Sequence, residues 1–389
     1  MRKLVLLLIA LLLPIIVGCG HSTADEDSSI QITEQDIVRS DRSFEGAMIE
    51  CWEPVFLDYE GNGLIADIYD VKYDDNLLFI ESGAGNNQAI KVFDKSGTYL
   101  HDISRRGRAK NEFAGIACWT IDPIRNEVLI FDYAPVIKYY DYGGNYLREI
   151  EYDDHISGFL PENPTCLSDG TVIGHYYLST FTTPEYRLFH TDGTVSVLFE
   201  TNGCKLQADN PDECLPFWRE YDSFDGEAWL MCRFNNHIYR ITGADSVSCI
   251  ANLSFIDVVP ENVRTCFNIQ RDGPKYYTRI LSSCLNLKDY FLFEYCDMRM
   301  ILDKSSMKVY QFNDEDKEVY VPEHYECAYS DNTIVAGVPF QAEEQIAFMD
   351  SPDYDHSYPA EIETFYRKVA DWDNPVMILC HLKQPDSLK

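Results

Sequence analysis

Short apolar runs rich in Val, Ile, Leu, Phe and Tyr alternate along this chain with clusters of Asp, Asn, Gly and Ser. Two motifs repeat in turn. The first is a turn leading into four to six β-formers: DDNLLFIES (74–82), RNEVLIFDY (125–133), DGTVIGHYY (169–177), DGEAWLMCR (225–233), KDYFLFEYC (288–296) and DNTIVAGVP (331–339). Such turn-bounded runs of β-branched and aromatic residues predict strands. The second motif is a hairpin, VFDKSGTYL (92–100), echoed by YYDYGGNYL (139–147), LFHTDGTVS (188–196), IYRITGADS (238–246) and ILDKSSMKV (301–309). Its turn residues Gly97, Gly144, Gly193, Gly243 and Ser306 lie 47, 49, 50 and 63 residues apart. Self-similarity at that period is the mark of a repeat architecture.

Six copies of the strand motif and five following hairpins predict an all-β fold, a six-bladed β-propeller. Each blade is a four-stranded antiparallel sheet. The strand motif supplies its second strand and the hairpin its third and fourth. The sixth copy is followed by PVMILCHLK (375–383) in place of a hairpin, so the last blade lacks its outer strand. An open ring would leave two sheet edges exposed. The strand-like WEPVFLDYE (52–60) is therefore expected to close the ring by pairing with residues 376–382. Blade boundaries are expected near 64–104, 113–151, 160–201, 215–255, 277–313 and 325–383. Two insertions break the period. Residues 256–276 are expected to hold a short helix after Pro260. A helical insertion in the last blade, about 340–374, contains PAEIETFYRKVADW, where Ile362, Phe365, Tyr366 and Val369 share one helical face. That helix either packs beside the propeller or roofs a binding face.

The run IKVFDKSGTYLHDISRRGRAKNEFAG (90–115) resembles the NHL-like six-bladed β-propeller lipoproteins of Bacteroidetes, whose pattern is vFD-x-x-G-x-x-L-x-x-I followed by G-x-G-P-x-E-F/Y. Phe93, Asp94, Gly97, Leu100, Ile103, Gly107, Glu112 and Phe113 match it, and Ala109 and Lys110 depart from it. The ending DNPVMILCHLK (373–383) is also similar to that family's closing strand. The resemblance implies architecture and little chemistry.

The first residues change the picture of where the fold sits. Arg2 and Lys3 precede an apolar run, Leu4–Val17. At about fourteen residues it is shorter than the roughly 20 that a spanning helix needs and suits a signal peptide over 1–18. It ends in IVGC (16–19), which resembles the lipobox of bacterial lipoproteins, and that resemblance implies lipidation of Cys19. An ordinary secretory signal is the other reading. Residues 19–45, polar and acidic at their start, are expected to be a disordered tether, leaving 46–389 as the propeller. Asp25-Glu26-Asp27 is loosely similar to the acidic surface-export signals of Bacteroidetes lipoproteins. The expected place is the cell envelope, anchored by lipid to the outer membrane, periplasmic or surface-exposed.

The formal net charge is −32, and −34 once Arg2 and Lys3 leave with the signal. Nucleic acid is a poor partner for such a body. Of 13 cysteines, 12 follow Cys19, with no C-x-x-C among them. Cys118, Cys232, Cys249, Cys296 and Cys380 fall in apolar strand-like runs, where a thiol acts as a small hydrophobe. Cys204 and Cys214 flank a polar loop and are the best disulfide candidate. No Cys/His cluster has zinc-ligand spacing, so neither metal nor cofactor is expected.

Catalytic signatures are missing from the sequence: no G-x-S-x-G, H-E-x-x-H or P-loop. The hairpin Asp residues do not fit a sialidase Asp-box and read as turn formers. RRGRAKNEF (105–113) is the most basic run. Arg105, Arg106 and Arg108 are candidates for an anionic ligand; the alternative is a rigid connector in which Glu112 bonds local backbone. His175, Tyr176 and Tyr177, at the end of the third blade's second strand, are the other ligand candidates. The function expected is that of a binding or scaffold module for a glycan, a peptide or a partner protein, as a monomer. The alternative is a hydrolase or lyase with a carboxylate or cation site at the central channel. The fold itself does not choose between them.

Overall fold

The computed structural model describes residues 29–83, 87–104, 106–152, 161–176, 185–200, 206–207, 221–231, 236–258, 260–264, 267–268, 271, 275, 282–296, 298–313, 315–338, 342–354 and 356–385. The chain opens with β1 (Ile30–Ile32), β2 (Ile37–Arg39), a short helix α1 (Phe44–Met48) and β3 (Ile49–Phe56). Blade one follows as β4 (Ile68–Asp74), β5 (Leu77–Ser82), β6 (Ala89–Asp94) and β7 (Tyr99–Asp102). Blade two is β8 (Ile116–Asp122), β9 (Glu127–Asp132), β10 (Val136–Asp141) and β11 (Tyr146–Glu151). Blade three is β12 (Glu162–Cys166), β13 (Val172–Tyr176), β14 (Glu185–Phe189) and β15 (Val195–Glu200). After β16 (Leu206–Gln207), blade four is β17 (Tyr221–Phe224), β18 (Glu227–Met231), β19 (His237–Gly243) and β20 (Ser246–Leu253). The helix α2 (Glu261–Arg264) does follow Pro260, and β21 (Phe267–Asn268) pairs in parallel with β16. Blade five is β22 (Ser282–Asn286), β23 (Tyr290–Tyr295), β24 (Met298–Asp303) and β25 (Val309–Gln311). Blade six is β26 (Tyr325–Ser330), β27 (Thr333–Gly337) and β28 (Val376–Leu382), with α3 (Glu343–Met349) and α4 (Ala360–Val369) between its last two strands.

The fourth strand of blade six is β3, in the order β26-β27-β28-β3. Its register runs from Ile49 opposite Leu382 to Phe56 opposite Val376, so the ring closes through the N-terminal strand as expected. The core confirms a closed ring. Six clusters of buried apolar side chains each fill one gap between neighbouring blades. The cluster that seals the ring joins Val55, Met377 and Leu379 of blade six to Val71, Leu78 and Phe93 of blade one.

The hairpin repeats because its glycine meets two demands at once. Gly97 sits at φ +88, a left-handed conformation open to glycine. A Cβ there would lie 2.1 Å from the carbonyl oxygen of Phe56, at the end of the preceding blade's outer strand. Gly144 (φ +81) and Gly193 (φ +85) stand the same way against the carbonyls of Asp102 and Glu151, at 2.9 and 2.4 Å. Each turn thus nests on the blade before it, and at the seal Asp58 N donates to Gly97 O at 2.7 Å. The turn aspartates act locally: Asp94 accepts from Ser96 N at 2.9 Å and Thr98 N at 3.0 Å.

α4 buries Ile362, Phe365, Tyr366 and Val369, the face expected for it. Phe365 meets the Trp52 ring edge-on at 5.3 Å, so the helix packs beside blade six against β3.

The expected tether is corrected from residue 29 onward. β1 adds in parallel to β20 as a fifth strand of blade four, and β2 adds in parallel to β25 of blade five. Ile32, Phe44 and Met48 are buried in the gaps between blades four, five and six. The outer edges of those blades offer unpaired backbone groups, and few apolar residues suffice to dock an extended strand there. Local caps fix the arm. Asp36 Oδ2 accepts from Thr33 N at 2.8 Å, and Ser43 Oγ caps α1 by accepting from Gly46 N at 3.2 Å.

Two outcomes check this packing. Gly97→Ala should cost about 3 kcal/mol in urea unfolding, because conformational strain and a backbone clash coincide. Gly61→Ala, at φ +59 with nothing within 4 Å of a Cβ, should cost about 1 kcal/mol. An equal loss at both sites would show that the close approach contributes nothing. Separately, a chain beginning at Ile49 should melt below one beginning at Ser29, since it loses β1, β2 and α1; identical melting would make the arm a passive decoration.

Candidate functional site

The first strand of every blade faces the axis, and together these strands line a central cavity of about 540 Å³. It opens toward the face where the turns between first and second strands lie. In blades one, two, three, four and six those turns are tight and left-handed, with positive φ at Asp75 and Asn76, Asn126, Gly170, Asp225 and Gly226, and Asp331. Asn, Asp and Gly are the residues that accept this geometry. The same residue choice that makes the turns also places carboxylates around the mouth. Asp74, Asp222, Asp225 and Asp331 line the cavity from blades one, four and six. Lys72 and Lys288 are its cations. Lys72 pairs with Asp70 at 2.8 Å and lies 5.5 Å from the centre of the Trp119 ring.

The mouth is electrostatically tense. Burial pushes the Asp74 carboxyl above the usual range, and the neighbouring Asp75 and Asp331 carboxylates add to it, although Tyr142 Oη donates to Asp74 at 2.8 Å. Beside the same face, Lys304 donates to the Leu287 carbonyl and lies 4.8 Å from the Trp229 ring centre. Burial lowers its amine to about 8. Asn286 lines the cavity at 3% exposure; its backbone N donates to Asp222 Oδ2 at 3.0 Å and its Nδ2 to the Glu227 carbonyl at 2.8 Å. Among the described residues no three His, Cys, Asp or Glu side chains gather to hold a metal ion.

A second cavity of about 480 Å³ lies between blades five and six and shares Cys327 and Tyr329 with the first. Glu45, Glu294, Arg299, His324 and Glu326 are the titratable side chains on its wall. Arg299 meets Glu326 through two bonds, 2.5 and 3.2 Å, with Tyr329 Oη donating to the same carboxylate at 2.8 Å. The guanidinium also lies 4.8 Å from the Phe44 ring centre. This arrangement clamps α1 to the ring and is better suited to structure than to ligand.

The residues singled out from sequence do not converge. Arg106 and Arg108 are exposed in the connection between blades one and two, away from the channel cavity. Arg106 Nε donates to the Ala114 carbonyl at 2.7 Å, and Glu112 accepts from Ala109 N at 2.9 Å, so the loop bonds to itself. His175 is 3% exposed and stacks on Tyr186 with 5.0 Å between ring centres. It sits inside the wall between blades. Cys19, Arg105, Tyr177, Cys204, Cys214 and Cys232 lie outside the described residues, as does the side chain of Tyr176. Cys380 is buried in strand β28, where burial pushes its thiol up to about 12. Cys296 departs from the expected strand interior: it occupies a turn at φ +54.

The channel acids were missed because each one reads singly as a turn former. The available signal was their recurrence. An acid at the same point of several blades must accumulate on one face of a ring.

A closed ring of six blades, each built on four antiparallel strands, around a polar channel is a β-propeller. The chain belongs to the family described as a domain of unknown function, DUF4934, which matches residues 48–381. A solved structure from Bacteroides fragilis, described as an exported protein, is similar over 92% of this chain and 100% of its own, at 14% identity and a TM-score of 0.60. A member of the DUF4221 family from Bacteroides vulgatus is similar over 86% of this chain and 97% of its own, at 10% identity and a TM-score of 0.52. These likenesses are of fold. No curated protein matches the chain.

Asp74 gives a pH test. Its carboxyl is raised in the folded state, so the fold takes up this proton more readily than the unfolded chain does, and ionisation near neutral pH works against folding. Asp74→Asn should raise Tm by about 1–3 °C at pH 7. The gain should vanish at pH 3, where the carboxyl is protonated folded or unfolded. A Tm lowered at pH 7 would mean that the charge is stabilised, not strained.

Proposed function

We propose that this protein is a lipid-anchored propeller of the cell envelope that binds a ligand or partner at the acidic mouth of its central channel. The observation that carries the reading is the cavity itself. At about 540 Å³ it falls in the range of ligand sites, and it is lined by backbone-held polar groups from all six blades. Its surroundings suit recognition: rigid strands hold the groups, while turns present them to solvent. The occupant belongs to the classes named from sequence, a glycan, a peptide or a partner protein.

The envelope location rests on the signal-like Leu4–Val17 and on Cys19 in IVGC. Among the described residues no helix is long and apolar enough to cross a membrane. The similarity to NHL-like propeller lipoproteins and the exported description of the Bacteroides fragilis structure support the same reading. A formal charge of −32 disfavours nucleic acid and anionic lipid surfaces as partners of the body.

Two experiments test the two halves. Cys19→Ala should move the protein from the membrane fraction to the soluble one. Ser330→Trp, which fills the channel from the end of β26, should abolish retention of whichever oligosaccharide or peptide the native protein selects from an array. A ligand held equally well by the filled variant would place recognition elsewhere on the molecule.

A further inference from the structure

The face of the ring opposite the acidic mouth carries a constellation of its own. First strands run toward the mouth and second strands run back from it, so the start of β8 and the end of β9 meet on that opposite face. Tyr133 follows β9 there and is 62% exposed. Its ring rests on Gly115, where a Cβ would lie 2.1 Å from Cε2 and 2.5 Å from Cδ2. A glycine lets the ring settle at that place while most of it stays open to solvent. The buried carboxylate of Asp132 ties the connection to the strand end: Oδ2 accepts from Ala114 N at 2.9 Å and Oδ1 from Tyr133 N at 2.7 Å. Arg106 is pinned to the same peptide, its Nε donating to the Ala114 carbonyl at 2.7 Å. An aromatic ring and a guanidinium are thus held on adjacent residues before any ligand arrives, which lowers the ordering cost of binding.

The charge at this place is out of keeping with the chain. Acidic residues number 64 and basic ones 32, so an arginine has carboxylates in excess to meet. Arg39, Arg125, Arg148, Arg299 and Arg367 each meet one. Arg106 and Arg108 are exposed and form no ion pair among the described residues. The acid within their own loop, Glu112, accepts from Ala109 N at 2.9 Å.

Two guanidinium groups beside an open ring fit an anion carried on an apolar face. A uronic-acid pyranose has both parts. Its axial C–H groups meet the negative face of an aromatic ring, and its carboxylate takes parallel bonds from a guanidinium. The surface continues beyond one sugar. Tyr69, near the start of β4, is 57% exposed, and Tyr325, at the start of β26, is 49% exposed. The Tyr325 ring rests on Gly337 as Tyr133 does on Gly115, with a Cβ there 2.5 Å from its Cζ. Blades six, one and two are consecutive in the ring, so the three tyrosines follow one arc of the same face.

We infer that this face binds an acidic oligosaccharide, with a uronic-acid ring on Tyr133, its carboxylate on Arg106 and Arg108, and the chain running toward Tyr69 and Tyr325. The site is separate from the channel mouth and does not depend on the reading given for it.

The test is calorimetric titration of the full chain at pH 7, in EDTA so that calcium cannot bridge acid to acid. The probes are hexagalacturonate, neutral maltohexaose and the acidic peptide hexaglutamate. Saturable binding of hexagalacturonate is expected, with each of the other two at least about tenfold weaker. Tyr133→Ala and Arg106→Gln should each weaken it about tenfold. Gly115→Ala keeps every ligand-facing side chain but displaces the Tyr133 ring, and should weaken binding by a similar factor. Tyr133 is exposed, so its variant keeps the test valid if Gly115→Ala fails to fold. Lys95→Gln removes an exposed positive charge on the mouth's face and should leave binding intact. Absence of saturable hexagalacturonate binding overturns the inference. Equally tight hexaglutamate also overturns it, by making the face a docking point for acidic peptide. Equal losses in Lys95→Gln and Arg106→Gln do the same, since charge alone would then be at work. Ser330→Trp separates the two sites: it should bind hexagalacturonate normally. Loss in that variant, with binding kept in Tyr133→Ala, would place the sugar in the channel and overturn the inference while the channel's binding role stands.

Discussion

The register between β28 and β3 is the constraint on which the rest depends. A propeller blade cannot bury both its faces alone; each needs a neighbour on either side, so a ring of blades is stable only when the last gap is filled. Here that gap is filled by Val55, Val71, Leu78, Phe93, Met377 and Leu379, all buried. Val55 comes from β3, which supplies the outer edge of blade six. The channel follows from closure, because its six walls are first strands held at fixed angles only by the blades behind them. The acidic mouth follows in turn, because it is made of the short turns that end those walls.

Closure is reinforced outside the ring. β1 and β2 lie on the rims of blades four and five, and α1 presses Phe44 and Met48 into the gap before blade six. Tyr290 Oη reaches the Lys383 carbonyl at 2.6 Å, and Lys383 Nζ reaches the Ala47 carbonyl at 2.6 Å. The two ends of the described chain and blade five are thereby tied at one place. Arg299, bonded to Glu326 and set against Phe44, belongs to the same knot. The segment that carries the ring's outer strand is thus itself held by three blades.

Much of this architecture was legible because it repeats. A single VFDKSGTYL is any hairpin. Five of them, the first four 47 to 50 residues apart, fix the blades, and the missing sixth points to the N-terminal strand. The helix after Pro359 was legible from Ile362, Phe365, Tyr366 and Val369. The arm was not. Ile32, Phe44 and Met48 are separated by acids and serines, and their partners in blades four to six lie about two hundred residues away or farther. The capping pairs Thr33–Asp36 and Ser43–Gly46 were the only local marks. The residues of the channel mouth were hidden for a related reason: Asp74, Asp225 and Asp331 serve local turns, and their common position exists only once the ring has formed. His175 stood out in the sequence for rarity, which is a property of composition and not of place.

The pairing of Ile49 with Leu382 joins residues separated by almost the whole chain. A chain delivered with its N-terminus first presents β3 at the beginning and β28 at the end. Throughout that interval β3 has no partner, and five blades accumulate with an unsealed flank. Loop closure over such a span is entropically slow, and contact order of this kind predicts folding limited by its last step. The arm on blades four and five offers a waiting place. Once β20 and β25 exist, β1 and β2 can dock and hold β3 near the position that β28 will reach. The search for a distant partner then becomes a search over a short tether, and an early-emerging edge strand is kept from pairing with a second copy of itself.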